Sequence, residues 1–193
     1  SIHAGLQALM VMGMQAGAEP CTILGEAELA QQCRTLRTKM IQAAPQVAQP
    51  VLQSKLAPTD PGQKQAAALL ALSGLLDPKV ADQQILSQGG GHGFSTFYGY
   101  YMLRAMAEGG NYEGALQVIR QFWGAMLDLG ATTFWEDFNL DWLPDAAPID
   151  ALVPAGKKDI HGDYGAYCYK GFRHSLCHGW ASGPTAWLSE YVL

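Results

Sequence analysis

A pair of adjacent carboxylates inside an aromatic segment is the feature of the sequence best suited to chemistry. The segment Gly-Ala-Thr-Thr-Phe-Trp-Glu-Asp-Phe covers residues 130–138, so Glu136 and Asp137 directly follow Trp135. Aromatic neighbours would partly remove Glu136 from water, which disfavours its charged form and raises its pKa. A carboxyl with a raised pKa suits acid–base catalysis near neutral pH. The segment therefore predicts a catalytic carboxylate at Glu136.

A purely structural interpretation of the same segment stays open. Thr132 or Thr133 could cap the start of a helix, and Glu136 could complete a capping box three residues later. The two interpretations are compatible, because a capped helix would also hold Glu136 rigidly.

A second polar and aromatic segment lies near the C-terminus. It runs Ser-Leu-Cys-His-Gly-Trp-Ala-Ser-Gly-Pro over residues 175–184 and contains His178 and Trp180. An aromatic ring can contact the apolar face of a sugar while His, Asp and Glu bind its hydroxyl groups. The segment favours sugar binding, and packing of Trp180 against a final helix is the alternative.

A glycine-rich loop covers residues 88–93 and includes His92. A phosphate-binding loop needs a strand before it and a helix after it. The preceding residues predict a helix, and no Lys-Ser or Lys-Thr pair follows, so the pattern argues against phosphate. Two interpretations remain: a flexible connection between helices, or a cleft mouth formed by His92 and Phe94.

Metal-ligand residue types also gather near the C-terminus. They are His161, Cys168, His174, Cys177 and His178. Their spacing fits neither paired Cys-x-x-Cys motifs nor His-Glu-x-x-His. The sequence therefore predicts buried thiols and hydrogen-bonded histidines there, with no metal and no cofactor.

Composition excludes several classes of protein. The 193 residues are 49% hydrophobic and 15% charged, which argues against disorder and for one domain with a sizeable core. Twelve scattered Lys and Arg against a net charge of −5 argue against nucleic-acid binding. Residues 2–18 contain His3, Gln7 and Gln15, which indicates a buried helix and no membrane span.

Helical periodicity dominates the chain. It predicts helices over 2–15, 26–45, 62–75, about ten residues after Asp77-Pro78, 95–108, 112–128 and 183–192. Four prolines between 45 and 61 predict a loop, and residues 130–180 form a long irregular stretch of the kind that is often functional. The expected core includes the helical stripes of Trp123 and Trp187, together with the stripe Leu6, Leu9, Met10, Met12 and Met14. The fold class is all-α, built from helical hairpins.

The helical hairpin that ends in Thr-Thr-Phe-Trp-Glu, followed downstream by Ser-x-x-His, resembles the six-hairpin glycosidases. The family it matches best is that of the α-L-rhamnosidases. The resemblance covers about residues 62–193 and is strongest at 130–138 and 175–187, while residues 1–60 fit only as generic helices. It implies an (α/α)6 toroid that hydrolyses terminal α-L-rhamnosides with inversion and without a cofactor.

The resemblance also implies roles for individual residues. Glu136 matches the glutamate that acts as general base on the attacking water, and His178 matches a histidine that contacts the sugar. The expected substrate-binding residues are Trp135, Asp137, His178, Trp180 and His92. Where the family often has Ser-Phe-Asn-His, this chain has Ser175-Leu-Cys-His178, so the neighbouring sugar contacts differ.

The general acid of the family lies in an acidic, Arg-containing segment that this chain lacks. We therefore expect residues 1–193 to be the C-terminal portion, about half a toroid, of a longer exported bacterial enzyme, and to be inactive alone. An exposed half-toroid face would favour a homo-oligomer. Two alternatives remain: a carbohydrate-binding (α/α) module, or an (α/α) polysaccharide lyase using Tyr164, Tyr167 or His161 as base.

Overall fold

The structure is a computed structural model that describes residues 2–164 and 174–193. Its described part is mostly helical, which confirms the all-α prediction at this level. The α-helices are α1 (Ile2–Ile23), α2 (Ala27–Gln42), α3 (Ala44–Leu52), α4 (Pro61–Leu72), α5 (Pro78–Ala81), α6 (Gly99–Glu108), α7 (Tyr112–Asp128) and α8 (Gly183–Tyr191). A π-helical turn, Asp82–Leu86, continues α5, and 3-10 turns cover Leu140–Trp142 and Gly179–Ala181. Strands β1 (Ala146–Ala147) and β2 (Lys158–Asp159) form one short parallel pair.

Several helix ends are where the sequence predicts them. The Asp60 carboxylate accepts a hydrogen bond from the Gln63 N–H at 2.7 Å, and Asp77 accepts one from Val80 at 3.1 Å. Both are N-caps followed by a proline in the first turn. After α7, Gly130 has a φ of +90°, a conformation that favours glycine and ends the helix.

The proline-rich region corrects one prediction. Residues expected to form a loop instead form α3. Pro45 lies in the first turn of this helix, where a missing N–H costs nothing, and Pro50 lies near its end, where little helix remains to be broken. Proline content therefore misled the prediction because position within the helix decides its effect.

The stripe predicted for α1 is wrong in part, since Met12 packs against the core but other members do not. Leu6 and Met10 are each 55% exposed, while Ala8 and Val11 are fully buried. Helix α1 packs against α2 and α4. It does so through its small residues, which leaves several larger apolar side chains at the surface.

The core centres on α4, which packs against α1 and α6, while α6 also packs against α8. The predicted core positions of Trp123 and Trp187 are confirmed, since both are buried. The Trp123 indole N–H donates to the Ala181 carbonyl and that of Trp187 to the Leu103 carbonyl, each at 3.0 Å. These bonds attach the C-terminal segment to α6 and α7. None of the helices in the described ranges combines the length and the apolar character needed to cross a bilayer.

Candidate functional site

The carboxylate segment is not helical. Residues 131–139 follow the Gly130 turn without forming a helix, so the capping-box interpretation of Glu136 is wrong. The Glu136 Oε2 atom instead accepts a hydrogen bond from the Ser175 N–H at 2.7 Å. The carboxylate therefore joins two segments that are distant in sequence and does not cap a helix.

Two backbone hydrogen bonds bring the two predicted motifs together. The Glu136 N–H donates to the Ser175 carbonyl at 2.8 Å, and the His178 N–H donates to the Phe134 carbonyl at 2.7 Å. The Thr133 hydroxyl donates to the Leu176 carbonyl between the same segments. Residues 133–136 and 175–178 thus lie side by side although about 40 residues separate them in sequence.

Glu136 is held by hydrogen bonds at its N–H, its carbonyl and its carboxylate. It is 4% exposed. Its carbonyl accepts hydrogen bonds from the Thr96 hydroxyl at 2.5 Å and from the Trp180 indole N–H at 2.7 Å. With its N–H and Oε2 both bonded to Ser175, the residue has a fixed backbone and a fixed side chain, as a preorganised catalytic group needs.

Asp137 has an altered acidity. Burial raises the pKa of its carboxyl from 3.8 to about 6, and the nearby Glu136 charge adds to the rise. A hydrogen bond from the Phe138 backbone N–H acts in the opposite direction but is weaker than burial. Asp137 therefore gains or loses its proton within the pH range in which acid–base chemistry is useful.

Of the two tryptophans near Glu136, Trp135 is buried and Trp180 is partly exposed. Trp135 is fully buried and packs on Phe138 with ring centroids 5.9 Å apart, so it lies behind the site and offers no face to solvent. Trp180 is 39% exposed and lies against His178, with the two ring centroids 4.1 Å apart. The predicted pair of His178 and Trp180 is thus adjacent in space and partly open to a ligand.

The sequence predicts His174 as a buried histidine with hydrogen bonds, and the structure confirms the burial but shows no hydrogen bond to its ring in the described ranges. The imidazole is 1% exposed, and neither ring nitrogen has a hydrogen-bond partner among the described residues. Burial lowers the pKa of His174, as does His161, while Glu136 and Asp159 act in the opposite sense. A neutral imidazole therefore lies within electrostatic range of the Glu136 carboxylate. Its place directly before Ser175 was the only signal for this in the sequence.

His92 is part of a separate arrangement. Its Nδ1 lies 3.0 Å from the Asp141 Oδ1 atom, and both side chains are well exposed. The two described ranges show no contact of His92 with Glu136, His178 or Trp180. His92 instead borders a cavity of about 430 Å³ that is also lined by Arg120 and Asp128. Phe94, which the sequence placed beside it at a cleft mouth, is buried, so the prediction is wrong for Phe94.

The glycine-rich loop uses its backbone groups within the protein. The Gly91 N–H donates to the Gln121 Oε1 atom at 2.9 Å, and the His92 and Phe94 N–H groups donate to carbonyls within the loop. The Lys64 ammonium donates to the Gly90 carbonyl at 3.0 Å. A phosphate cradle needs free N–H groups, so this loop is poorly suited to one. The helical prediction for the preceding residues is confirmed by Asp82–Leu86.

The described residues also bear on whether the chain has a metal site. Within residues 2–164 and 174–193, no group of three or more His, Cys, Asp or Glu side chains is placed to hold a metal ion. Cys21, Cys33 and Cys177 carry free thiols. Cys168, the remaining cysteine of the predicted cluster, lies outside the described residues.

No protein-family model matches the chain, and no curated protein matches it either. The resemblance to the rhamnosidases therefore depends on the sequence motifs.

Proposed function

We propose that this chain supplies the general base and part of the sugar pocket of an α-L-rhamnosidase-type glycoside hydrolase. One observation supports this most directly: Glu136 is buried and fixed through its N–H, its carbonyl and its carboxylate. It also lies beside the half-buried His178 and the exposed Trp180, through the Trp180 hydrogen bond to its carbonyl. A rigid carboxylate next to a partly open aromatic and imidazole surface suits hydrolysis of a neutral sugar.

In the proposed reaction, Glu136 takes a proton from the water that attacks the anomeric carbon. A second carboxyl gives a proton to the departing glycosidic oxygen, so one proton is accepted and one is donated. Inverting enzymes place the two carboxyls roughly 6.5–9.5 Å apart, which leaves room for the water. Trp180 contacts the apolar face of the sugar, and His178 and Asp137 bind its hydroxyl groups.

The proton donor of the proposed reaction comes from outside residues 1–193. In this proposal the helices α1–α8 form part of an (α/α)6 toroid, and the acid lies on the remaining part. Asp137 is unsuited to the role because it directly follows Glu136 in the chain and would not reach the opposite side of the sugar. The 193-residue chain alone is therefore expected to turn over substrate very slowly or not at all.

The test is hydrolysis of a chromogenic α-L-rhamnoside by the longest natural form of the protein that contains this chain. Wild type should release the chromophore, and proton NMR should show that the released sugar has the inverted anomeric configuration. Glu136→Gln should lose nearly all activity. Absence of turnover by wild type would overturn the proposal, as would full activity in Glu136→Gln. Turnover by the 193 residues alone that depends on Glu136 would overturn the claim that the acid lies elsewhere.

The two alternative functions differ in what supports them. Binding of rhamnose without hydrolysis by the longer protein would favour the carbohydrate-binding module. For the lyase, burial raises the pKa of Tyr164, and Asp145 and Asp163 raise it further, which makes this tyrosine a poor base at neutral pH. Tyr167 lies outside the described residues.

Self-association remains a prediction as well. The apolar side chains exposed on α1, among them Leu6 and Met10, provide a surface through which two copies could pair. Light scattering at high protein concentration should show a dimer, and a clean monomer would contradict this expectation.

A further inference from the structure

Phe97 forms a second exposed aromatic surface beside Trp180, and sequence reasoning did not include it in the site. The two rings are 40% and 39% exposed, and their centroids lie 5.8 Å apart. Phe97 also rests on Tyr98 and Tyr101, at 5.0 and 5.8 Å, so the ring is supported from within the protein. We call the Phe97 and Trp180 rings the aromatic platform.

The platform is connected directly to the proposed base. Thr96, the neighbour of Phe97, donates its hydroxyl to the Glu136 carbonyl, and the Trp180 indole N–H donates to the same oxygen. A single carbonyl therefore joins the two segments that carry the platform rings. Because both bonds end on Glu136, the rings keep a constant position relative to it.

The charges around the platform indicate what it can bind. Glu136 and Asp137 lie in the adjoining segment, and no Lys or Arg is in cation–π contact with either ring in the described part of the chain. An anionic ligand would therefore be disfavoured. His178 packs on Trp180 with ring centroids 4.1 Å apart, and its Nδ1 atom is buried. Two half-exposed aromatic rings beside a segment that carries two carboxyls suit a neutral ligand that is apolar on one side and carries hydroxyls at its rim.

We propose that the aromatic platform binds a neutral pyranose ring next to Glu136, with Phe97 as a residue that determines affinity. This rests on the proposed function only in naming the sugar as the substrate of the same site. Binding itself needs neither the general acid nor turnover, so it can be measured on the 193-residue chain.

The experiment titrates methyl α-L-rhamnoside into the chain and follows tryptophan fluorescence, with saturation-transfer NMR as a second readout. Phe97→Leu keeps an apolar side chain but removes the ring, and should weaken binding roughly three- to tenfold. Tyr112→Leu is the matched control, because Tyr112 is 48% exposed and rests on Tyr191 as an aromatic pair away from Phe97 and Trp180. It should leave the affinity unchanged, and circular dichroism checks that both variants are folded.

Three results would overturn the platform: no binding by wild type, equal affinity in wild type and Phe97→Leu, or an equal loss in Tyr112→Leu. Methyl α-D-glucuronide should bind more weakly than the neutral glycoside, and a preference for it would contradict the charge argument. Failure of the hydrolase proposal gives a different pattern, because the longer protein would then bind the sugar through Phe97 without cleaving it. Hydrolysis that is insensitive to Phe97→Leu, in contrast, would contradict sugar binding by the aromatic platform and leave the hydrolase proposal standing.

Discussion

Lys64 and Glu136 are both buried charged side chains, yet their surroundings differ. Lys64 is completely buried and Glu136 almost so, and neither forms an ion pair within the described residues. Each is held by a backbone group: the Lys64 ammonium donates to the Gly90 carbonyl, and Glu136 accepts from the Ser175 N–H. Burying a charge without an ion-pair partner costs folding free energy, so each residue needs a physical reason for its position.

The neighbours of the two buried charges differ. Lys64 lies over the Phe94 ring, 4.9 Å from its centroid, and supports the glycine-rich loop. Glu136 lies near a carboxyl with a raised pKa, Asp137, and a neutral buried imidazole, His174. It also adjoins an exposed aromatic surface. These neighbours are the reason why we propose a catalytic role for Glu136 and not for Lys64.

The largest expected effect separates the two groups by activity. In the longest natural form of the protein, Glu136→Gln should lower kcat by at least about a thousandfold, because the general base is lost. Lys64→Met should leave kcat within a few-fold of wild type, since the Lys64 ammonium contacts Gly90 and Phe94 and not Glu136. Steady-state hydrolysis of a chromogenic α-L-rhamnoside measures both. Comparable losses in the two variants would show that the distinction between these sites is wrong.

Lys64 should instead control stability at alkaline pH. Burial lowers its pKa from 10.5 to about 8, so between these values the unfolded chain holds a proton that the folded chain has released. The unfolded state then binds more protons, and stability rises with pH across this window, by about 2–3 kcal/mol.

Urea unfolding of the 193-residue chain at pH 7.5 and 10 measures this rise. Lys64→Met should be more stable than wild type at pH 7.5 and should lose the dependence. Lys79→Met is a control, since Lys79 has no comparable burial. A wild-type curve that falls over the same window would refute the argument.

Asp137 should make stability depend on pH in the acidic range, with a smaller effect than that of Lys64. Its pKa is about 6 when folded and 3.8 as a free side chain, so between these values the folded state binds more protons. Stability is therefore highest below pH 4 for this group and is lost as pH rises through 6, by about 1–2 kcal/mol after allowance for its partial exposure. Asp137→Asn should remove this dependence in urea unfolding at pH 4 and pH 7. An unchanged difference between the two pH values would assign the effect to other groups.

Local patterns predicted much of the helical scaffold. The bounds of α7, the caps at Asp60 and Asp77 and the Gly130 turn all follow from short-range chemistry. The α1 stripe could not be predicted in the same way. Whether large or small side chains face inward depends on how closely another helix approaches, and no periodicity within one helix contains that information.

The site shows the same limit. Sequence reasoning selected Glu136, His178 and Trp180, and the structure brings them together. It did not select Phe97, because this ring reaches the site through the Thr96 hydroxyl and its contact with Trp180, which join segments far apart in sequence. His92 was selected for its residue type, but its contact is with Asp141.

The smallest expected effect tests how firmly Glu136 must be held. Thr96 is buried, and Thr96→Val keeps its shape but removes the hydroxyl that donates to the Glu136 carbonyl. The Trp180 indole still donates to that oxygen, so the loss should be only about 1 kcal/mol of stability. If the position of Glu136 matters for the chemistry, kcat should fall several-fold while KM changes little, because the sugar contacts remain. Thr38→Val removes an exposed hydroxyl that donates to the Arg34 carbonyl and should change neither quantity. A loss of stability with unchanged kcat would mean that Thr96 supports the fold alone, and that the Trp180 bond is sufficient to position the base.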